Sequence, residues 1–295
     1  MSREDDIALG SPKRTKLTVP ELRAGKGSRR LAMVATYDFP MARLAEQGGV
    51  DLILVGDSLG MVVLGHASTV PVTMDDMLRH ARAVVRGAPA THVVADMPFL
   101  SYQIDDPRAI ENAGRLLQDG GVDAVKLEGG RALASRIRAI VGAGIPVMGH
   151  VGLTPQSAAS LGGFRVQGRD LESARAVLAD AEAVAAAGAY AIVVEAVPAD
   201  LAALITQRLP IPTIGIGAGV ACDGQVLVGH DLLGLEDRLA PRFAKRYANL
   251  GATARDAFAA FAAEVRDGSF PDDAHSYAMK PEVAAALRRG PEEAA

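Results

Sequence analysis

The chain has 295 residues, 49% of them hydrophobic and 22% charged, with a formal net charge of -4. That length suits a single α/β domain, and the weak acidity lacks the basic footprint of a nucleic-acid-binding protein. No stretch of about 18 apolar residues suggests a membrane span, residues 1–30 lack the apolar core of a signal peptide, and the lone Cys222 allows no intrachain disulfide, so a cytoplasmic location is expected.

Residues 1–17 are expected to form a disordered tail, mildly basic through Lys13, Arg14 and Lys16. Thr18 is placed to N-cap a short helix over 19–24, with Pro20 tolerated in its first turn. A first strand over 31–36 ends in Tyr37-Asp38, and a helix over 40–46 closes at Gly48-Gly49. The run Leu52-Ile53-Leu54-Val55 has no polar alternation, so it reads as a strand buried on both faces, as in a parallel sheet. It stops at Gly56-Asp57-Ser58, which puts a carboxylate and a hydroxyl at the strand's tip.

The same device recurs. Thr73 caps a helix in which Met74, Met77, Leu78, Ala81, Val84 and Val85 keep a 3.6-residue period up to Gly87. Strand 92–95 ends at Asp96-Met97-Pro98, and Asp106 is expected to cap the next helix, with Pro107 in its first position. Strand 123–127 carries Lys126 and ends at Glu128-Gly129-Gly130. A helix over 132–141 leads to strand 146–149 and His150. The long glycine-rich loop 151–168 reads as functional rather than as linker, with Phe164 and Arg165 as lid or ligand contacts. Asp170 opens a helix, strand 191–194 ends at Glu195, and helix 200–208 precedes strand 212–216. Strand 225–228 runs into His230-Asp231, a last long helix is expected over 254–265 with Thr253 as its cap, and the end beyond Pro281 is expected to fray.

A strand followed by a helix thus occurs eight times within about 250 residues, which favours a (β/α)8 TIM barrel over an open doubly wound sheet. In that fold the active site lies at the C-terminal strand ends, and those ends supply Asp57, Ser58, Asp96, Lys126, Glu128, His150 and Glu195. A single strand-end aspartate is often only a turn former. Four carboxylates at one mouth are different, because they repel one another unless a cation compensates them. Oxygen ligands without cysteine, and with little histidine, suit magnesium or manganese rather than zinc. Asp57 and Asp96 fill the one or two carboxylate positions such an ion takes, with Glu128 in or just behind them. The open positions suit a bidentate 2-oxo acid. Lys126 leaves strand four on the same face as Glu128. It either pairs with that acid, or meets a substrate carboxylate or enolate oxygen, or forms a Schiff base; a metal at the same mouth makes the last redundant. His150 either touches substrate or is a satisfied polar group. The glycine-rich stretch 214–219 lacks the context of a dinucleotide fingerprint.

Several long motifs carry a specific resemblance. They include Val55-Gly56-Asp57-Ser58-Leu59-Gly60, Ala95-Asp96-Met97-Pro98-Phe99, Val125-Lys126-Leu127-Glu128-Gly129-Gly130, Gly149-His150-Val151-Gly152-Leu153-Thr154-Pro155-Gln156, Val166-Gln167-Gly168 and Glu195-Ala196-Val197-Pro198. In this order, over residues 18–277, they resemble the ketopantoate hydroxymethyltransferase family. The resemblance implies one TIM-barrel catalytic domain over 18–277, flanked by tails 1–17 and 278–295. It implies transfer of a hydroxymethyl group from 5,10-methylenetetrahydrofolate to 3-methyl-2-oxobutanoate with Mg2+. By the same resemblance the metal acids are Asp57, Asp96 and Glu128, the oxo-acid contacts Asp57, Ser58, Asp96 and Lys126, and the proton acceptor Glu195. It also implies a homo-oligomer, a ring-like decamer, whose partners are small molecules and neither nucleic acid nor membrane. A magnesium-dependent lyase of the phosphoenolpyruvate mutase and isocitrate lyase type is the rival enzyme, but its catalytic cysteine loop has no counterpart here. A non-catalytic oxo-acid or metal-binding barrel is the rival outside enzymes.

Overall fold

Buried apolar runs set the architecture. In the computed structural model, which describes residues 15–235 and 241–289, eight parallel strands close into a barrel in sequential order. They are β1 (Leu31–Ala35), β2 (Leu52–Val55), β3 (His92–Asp96), β4 (Ala124–Glu128), β5 (Val147–Gly152), β6 (Ala191–Glu195), β7 (Thr213–Ile216) and β8 (Gly224–Val228). Closure comes from β1 pairing β8, from Leu31 opposite Gly224 to Ala35 opposite Val228. The fold is the expected TIM barrel.

The helices are α1 (Val19–Ala24), α2 (Phe39–Gln47), α3 (Leu59–Val62), α4 (Met74–Gly87), α5 (Asp106–Gln118), α6 (Ala134–Gly142), α7 (Leu171–Ala186), α8 (Ala199–Arg208), α9 (Gly229–Leu233), α10 (Leu250–Asp267) and α11 (Pro281–Arg289). Where sequence carries a cap and a stripe, the structure follows it. Thr18 and Thr73 both form capping boxes, and α4 buries Met77, Leu78, Ala81 and Val84 as one stripe, the face that an amphipathic helix lays on a sheet. The four-residue α3 and five-residue α9 carry no such signal and were not anticipated.

Four expectations are corrected. Asp105, not Asp106, caps α5 by accepting from the Arg108 N–H; Asp106 falls inside the first turn, where a carboxylate favours the helix dipole. Thr253 lies within α10, its hydroxyl donating to the Asn249 carbonyl at 3.3 Å, because the helix starts three residues before it, at Leu250. Beyond Pro281 the chain forms α11, in which helix-forming alanines run from Glu282 to Arg288 and Arg289, charges placed to suit the dipole. Residues 290–295, like 1–14, lie outside the described residues. Lastly, β5 continues past Gly149 to Gly152, because its ladder with β6 extends as far as Gly152 opposite Glu195. His150 therefore sits within a strand.

The N-terminal end of the barrel is tied by polar contacts. The Lys16 ammonium lies 2.9 Å from Asp123, and the Leu17 carbonyl meets His92 Nδ1 at 3.0 Å. Asp223 accepts from Lys26 Nζ at 2.7 Å, from the Gly27 N–H at 3.0 Å and from the Thr213 N–H at 2.9 Å. These links fasten the segment around α1 at the N-terminal ends of the strands.

Candidate active site

Barrel register assembles the site. In a parallel ladder, paired residues of adjacent strands stand side by side on one face. β3 sets Asp96 opposite Lys126, β4 sets Glu128 opposite His150, and β5 sets Gly152 opposite Glu195. The polar tips then meet. Lys126 Nζ lies 2.9 Å from Asp96 Oδ1 and 3.1 Å from His150 Nδ1. His150 Nδ1 is 3.6 Å from Glu128 Oε1, and its Nε2 is 3.2 Å from Glu195 Oε2 without the alignment of a hydrogen bond. Asp57 arrives from the turn after β2, its backbone N–H donating to Asp96 Oδ2 at 3.0 Å. Ser58 follows, its hydroxyl 2.8 Å from that of Tyr37. All the strand-end residues singled out in the sequence therefore converge on one mouth.

Local backbone fixes Glu195. Gly152 has φ 93°, and a Cβ there would lie 2.2 Å from the Glu195 carbonyl, so only glycine allows the two strands to approach. Ala196, just beyond, has φ 46°, an unusual conformation for a side-chain-bearing residue. It is held by a bond from its N–H to the Ile216 carbonyl at 2.8 Å and one from the Gln167 N–H to its own carbonyl at 2.9 Å. At the tip of β7, Gly217 has φ 62° and a Cβ there would meet the Phe243 ring at 2.8 Å. The glycine stretch thus serves close packing rather than a dinucleotide turn.

Charge dominates the chemistry of this mouth. Asp57, Asp96, Lys126, Glu128 and His150 are all between 2% and 4% exposed. Burial, then repulsion from Asp96 and Glu128, pushes the Asp57 carboxyl well above its ordinary range. Burial raises Asp96 as well, and Lys126 offsets this only in part. For Lys126, burial opposes the charge, but Asp96, Glu128 and Asp57 outweigh it and hold the ammonium protonated. Glu128 goes the other way: burial is outweighed by His150, by Lys126 and by a backbone donor, which lower it. Burial and the Lys126 charge push His150 down, but Glu128 and Glu195 win and raise it to about 9. Both partners cannot place a proton on the 3.1 Å line between Lys126 and Nδ1. With the ammonium donating, Nδ1 must accept, so the doubly protonated ring that the raised value favours is reached only by giving up the Lys126 hydrogen bond.

Four carboxylates therefore face one ammonium. Among the described residues no three His, Cys, Asp or Glu side chains form a ready metal cage. Magnesium does not require one, since it takes one or two protein carboxylates and fills its octahedron with water and substrate oxygens. Asp57 and Asp96, held together by a backbone hydrogen bond, supply that pair. The residues fit a hard divalent cation.

Two members of the site carry no chemical signal in the sequence. Gln156, 5% exposed, donates to Asp57 Oδ2 at 2.9 Å, and Tyr102, 1% exposed, touches both Gln156 and the Glu128 backbone. Gln156 appears in the sequence only as the end of a motif, and Tyr102 lies in a loop whose composition says nothing of its partner. Cys222 is buried just before β8, at the opposite end of the barrel from the mouth, so it plays no part in a lyase-type cysteine mechanism here.

Asp57 yields a test with a definite sign. Its folded pKa is raised, so the ionised form opposes folding at neutral pH, whereas below the ordinary carboxylate value of about 3.9 the group is neutral in both states. Metal-free Asp57→Asn is expected to melt at a higher temperature than the parent near pH 7 in EDTA, with the gain shrinking toward about pH 4. A lower midpoint near pH 7 would contradict the repulsion assigned to Asp57.

Comparisons with known proteins bear on the family and the fold. Residues 16–273 match the family described as Ketopantoate hydroxymethyltransferase. The 3-methyl-2-oxobutanoate hydroxymethyltransferase of Moorella thermoacetica is 60% identical, over 90% of this chain and 98% of its own. The enzyme of the same name from Carboxydothermus hydrogenoformans is 55% identical, over 91% and 98%. Among solved structures, a phosphonopyruvate hydrolase superposes with a TM-score of 0.59 at 15% identity, covering 92% of this chain and 96% of its own. A 2,3-dimethylmalate lyase of the PEP mutase/isocitrate lyase superfamily gives 0.56 at 19%, over 94% and 96%. Those two likenesses concern the fold alone. With the family match spanning nearly the whole barrel and more than half of the residues shared with its curated members, the chain belongs to the ketopantoate hydroxymethyltransferase family.

Proposed function

We propose that this protein transfers a hydroxymethyl group from 5,10-methylenetetrahydrofolate to 3-methyl-2-oxobutanoate, giving 2-dehydropantoate (ketopantoate) for pantothenate and coenzyme A synthesis. The observation that carries the reading is the gathering of Asp57, Asp96, Lys126, Glu128 and Glu195 at one barrel mouth. The names of the curated relatives supply its substrate.

Asp57, Asp96 and Glu128 would hold magnesium, which supplies Lewis acidity toward the carbonyl oxygen of the oxo acid. The rest falls to side chains of this chain. Lys126, kept charged by its acidic neighbours, offers N–H groups to the oxo-acid carboxylate or to the oxygen that gains charge as C3 loses its proton. Ser58 adds a hydroxyl, oriented by Tyr37. Glu195 is the proton carrier: its side chain is 15% exposed, against 3% for Glu128, so it reaches the mouth while resting against His150. Loss of the C3 proton gives the enolate, whose C3 bonds to the one-carbon unit as the first of its two carbon–nitrogen bonds breaks. Water then displaces the second nitrogen and leaves the hydroxyl, and the two freed folate nitrogens take up the C3 proton and the proton from water. The loop 153–170 leaves Phe164 54% exposed and Val166 42% exposed, an apolar surface suited to the folate ring.

A homo-oligomer forms part of the proposal, a decamer by family resemblance. In support, the 18-residue α10 buries none of its residues, and Phe258 and Phe261 are 73% and 54% exposed. Apolar surface of that kind marks contact with another chain. A cytoplasmic setting is proposed with it, in keeping with the single buried Cys222.

Ketopantoate is expected to form from the two substrates with Mg2+, to stop with EDTA and to resume when Mg2+ is restored; formation untouched by EDTA would remove the metal from the account. Glu195→Gln should lower kcat by about 10²–10⁴-fold, the usual range for a general acid–base group, with the oxo-acid KM little changed. Unchanged turnover would exclude Glu195. Light scattering should give the mass of several chains for the parent and a smaller mass for the Phe258→Asp, Phe261→Asp double variant. A monomeric parent would contradict the assembly.

A further inference from the structure

We infer that Gln156, backed by Tyr102, is a positioning residue that decides which oxygen of Asp57 and which of Glu128 is presented to the cation and the oxo acid. The inference rests on the magnesium reading above and adds a residue to it.

Gln156 lies in the 3-10 turn Pro155–Ser157, just after β5. Every polar position of its side chain is used. Nε2 is 2.9 Å from Asp57 Oδ2 and 2.9 Å from the Met97 carbonyl, so both amide hydrogens are donated. Oε1 accepts from the Tyr102 hydroxyl at 2.7 Å and from the Gln103 amide at 3.2 Å. Its backbone N–H donates to Glu128 Oε2 at 2.9 Å. One residue therefore touches the ends of β2, β3 and β4, the three strands that carry the proposed magnesium acids.

The acceptors Met97 and Asp57 fix the orientation of that amide, and Tyr102 supports it from the other side. A phenol has one hydrogen to give. The oxygen of Tyr102 lies 2.7 Å from Gln156 Oε1 and 3.1 Å from the Glu128 carbonyl, so the hydrogen goes to Gln156. The same oxygen accepts the Glu128 N–H at 3.2 Å. A reversed Gln156 amide would set its carbonyl oxygen against the Asp57 carboxylate and the Met97 carbonyl, and its NH2 against the Gln103 NH2. Those bonds would become repulsions, and only the Tyr102 contact could survive, with its sense reversed.

The result is a division of oxygens. Asp57 Oδ2 and Glu128 Oε2 belong to Gln156, which leaves Asp57 Oδ1 and Glu128 Oε1 for ligands, the latter 3.6 Å from His150. Partners behind ligating carboxylates typically change metal affinity by about 10–100-fold when removed. A side chain that only filled space under the loop would change stability and leave affinity alone.

The full-length protein, free of substrate, is titrated with Mn2+, and unbound Mn2+ is counted by electron paramagnetic resonance; thermal midpoints are recorded in EDTA. Gln156→Met keeps the volume and removes the hydrogen bonds, and is expected to weaken Mn2+ binding by about 10–100-fold. Tyr102→Phe should weaken it several-fold, and the double variant no more than Gln156→Met, because the two act as one unit. Unchanged Mn2+ affinity in folded Gln156→Met, whatever its thermal midpoint, would overturn the inference. If Gln156→Met does not fold, Tyr102→Phe decides alone: several-fold weaker binding supports the role, and parental affinity overturns it. Parent protein that takes up no Mn2+ would sink the magnesium reading together with the inference, whereas parental binding with unaffected variants sinks the inference only.

Discussion

The mouth of this barrel buries more negative charge than it can pair. Asp57, Asp96 and Glu128 are nearly inaccessible, Glu195 stands beside them, and Lys126 is the single ammonium in their midst. Taking a carboxylate out of water without a partner is among the costliest steps in folding. A hard cation would relieve that strain, and much of the surrounding structure is arranged to contain it. Lys126 is held charged, Glu128 is given a backbone donor and a histidine, and Asp57 and Asp96 are left raised toward neutrality. The unevenness separates the acids into stabilised and repelled ones, which is how groups of one chemical type come to serve different roles.

The barrel makes such crowding possible. A closed parallel sheet fixes the level of every residue relative to its neighbours, so a one-residue slip would turn Lys126 or Glu128 out of the mouth. The register Asp96–Lys126, Glu128–His150 and Gly152–Glu195 is therefore as much a part of the chemistry as the side chains themselves. Glycine at 152 permits the approach, and the strained Ala196 is tolerated because backbone bonds on both sides hold it. Rigid strands carry the charged groups, and Phe164 and Val166 lie exposed on the loop beside them. That contrast suits one substrate fixed against charge and a second received by an adaptable surface.

Much of this was legible in the sequence. Strands β2 and β3 end where apolar runs meet aspartate, and the helix periodicity of α4 locates its buried stripe within a residue. The gathering of the strand-end acids followed from the fold, since a barrel brings all its C-terminal strand ends to one place. What escaped was of three kinds. Asp106 was expected to cap α5, but its neighbour Asp105 does so, because the helix begins one residue earlier than expected. The length of β5 depended on a pairing partner distant in sequence, so His150 read as a strand terminus when it lies inside the ladder. Gln156 and Tyr102 were missed because they act through hydrogen bonds to other residues. A neutral amide and a phenol in loops give no sign of which carboxylate they will meet.

The central claim is that this charged mouth labilises the C3 hydrogen of a 2-oxo acid. The most direct measurement incubates the protein with 3-methyl-2-oxobutanoate in deuterated water, with and without Mg2+ and with and without methylenetetrahydrofolate, and follows C3 by nuclear magnetic resonance. The account predicts deuterium at C3 in the presence of Mg2+, little without it, and ketopantoate when the folate is added. Neither deuterium at C3 nor ketopantoate with both Mg2+ and the folate present would contradict it.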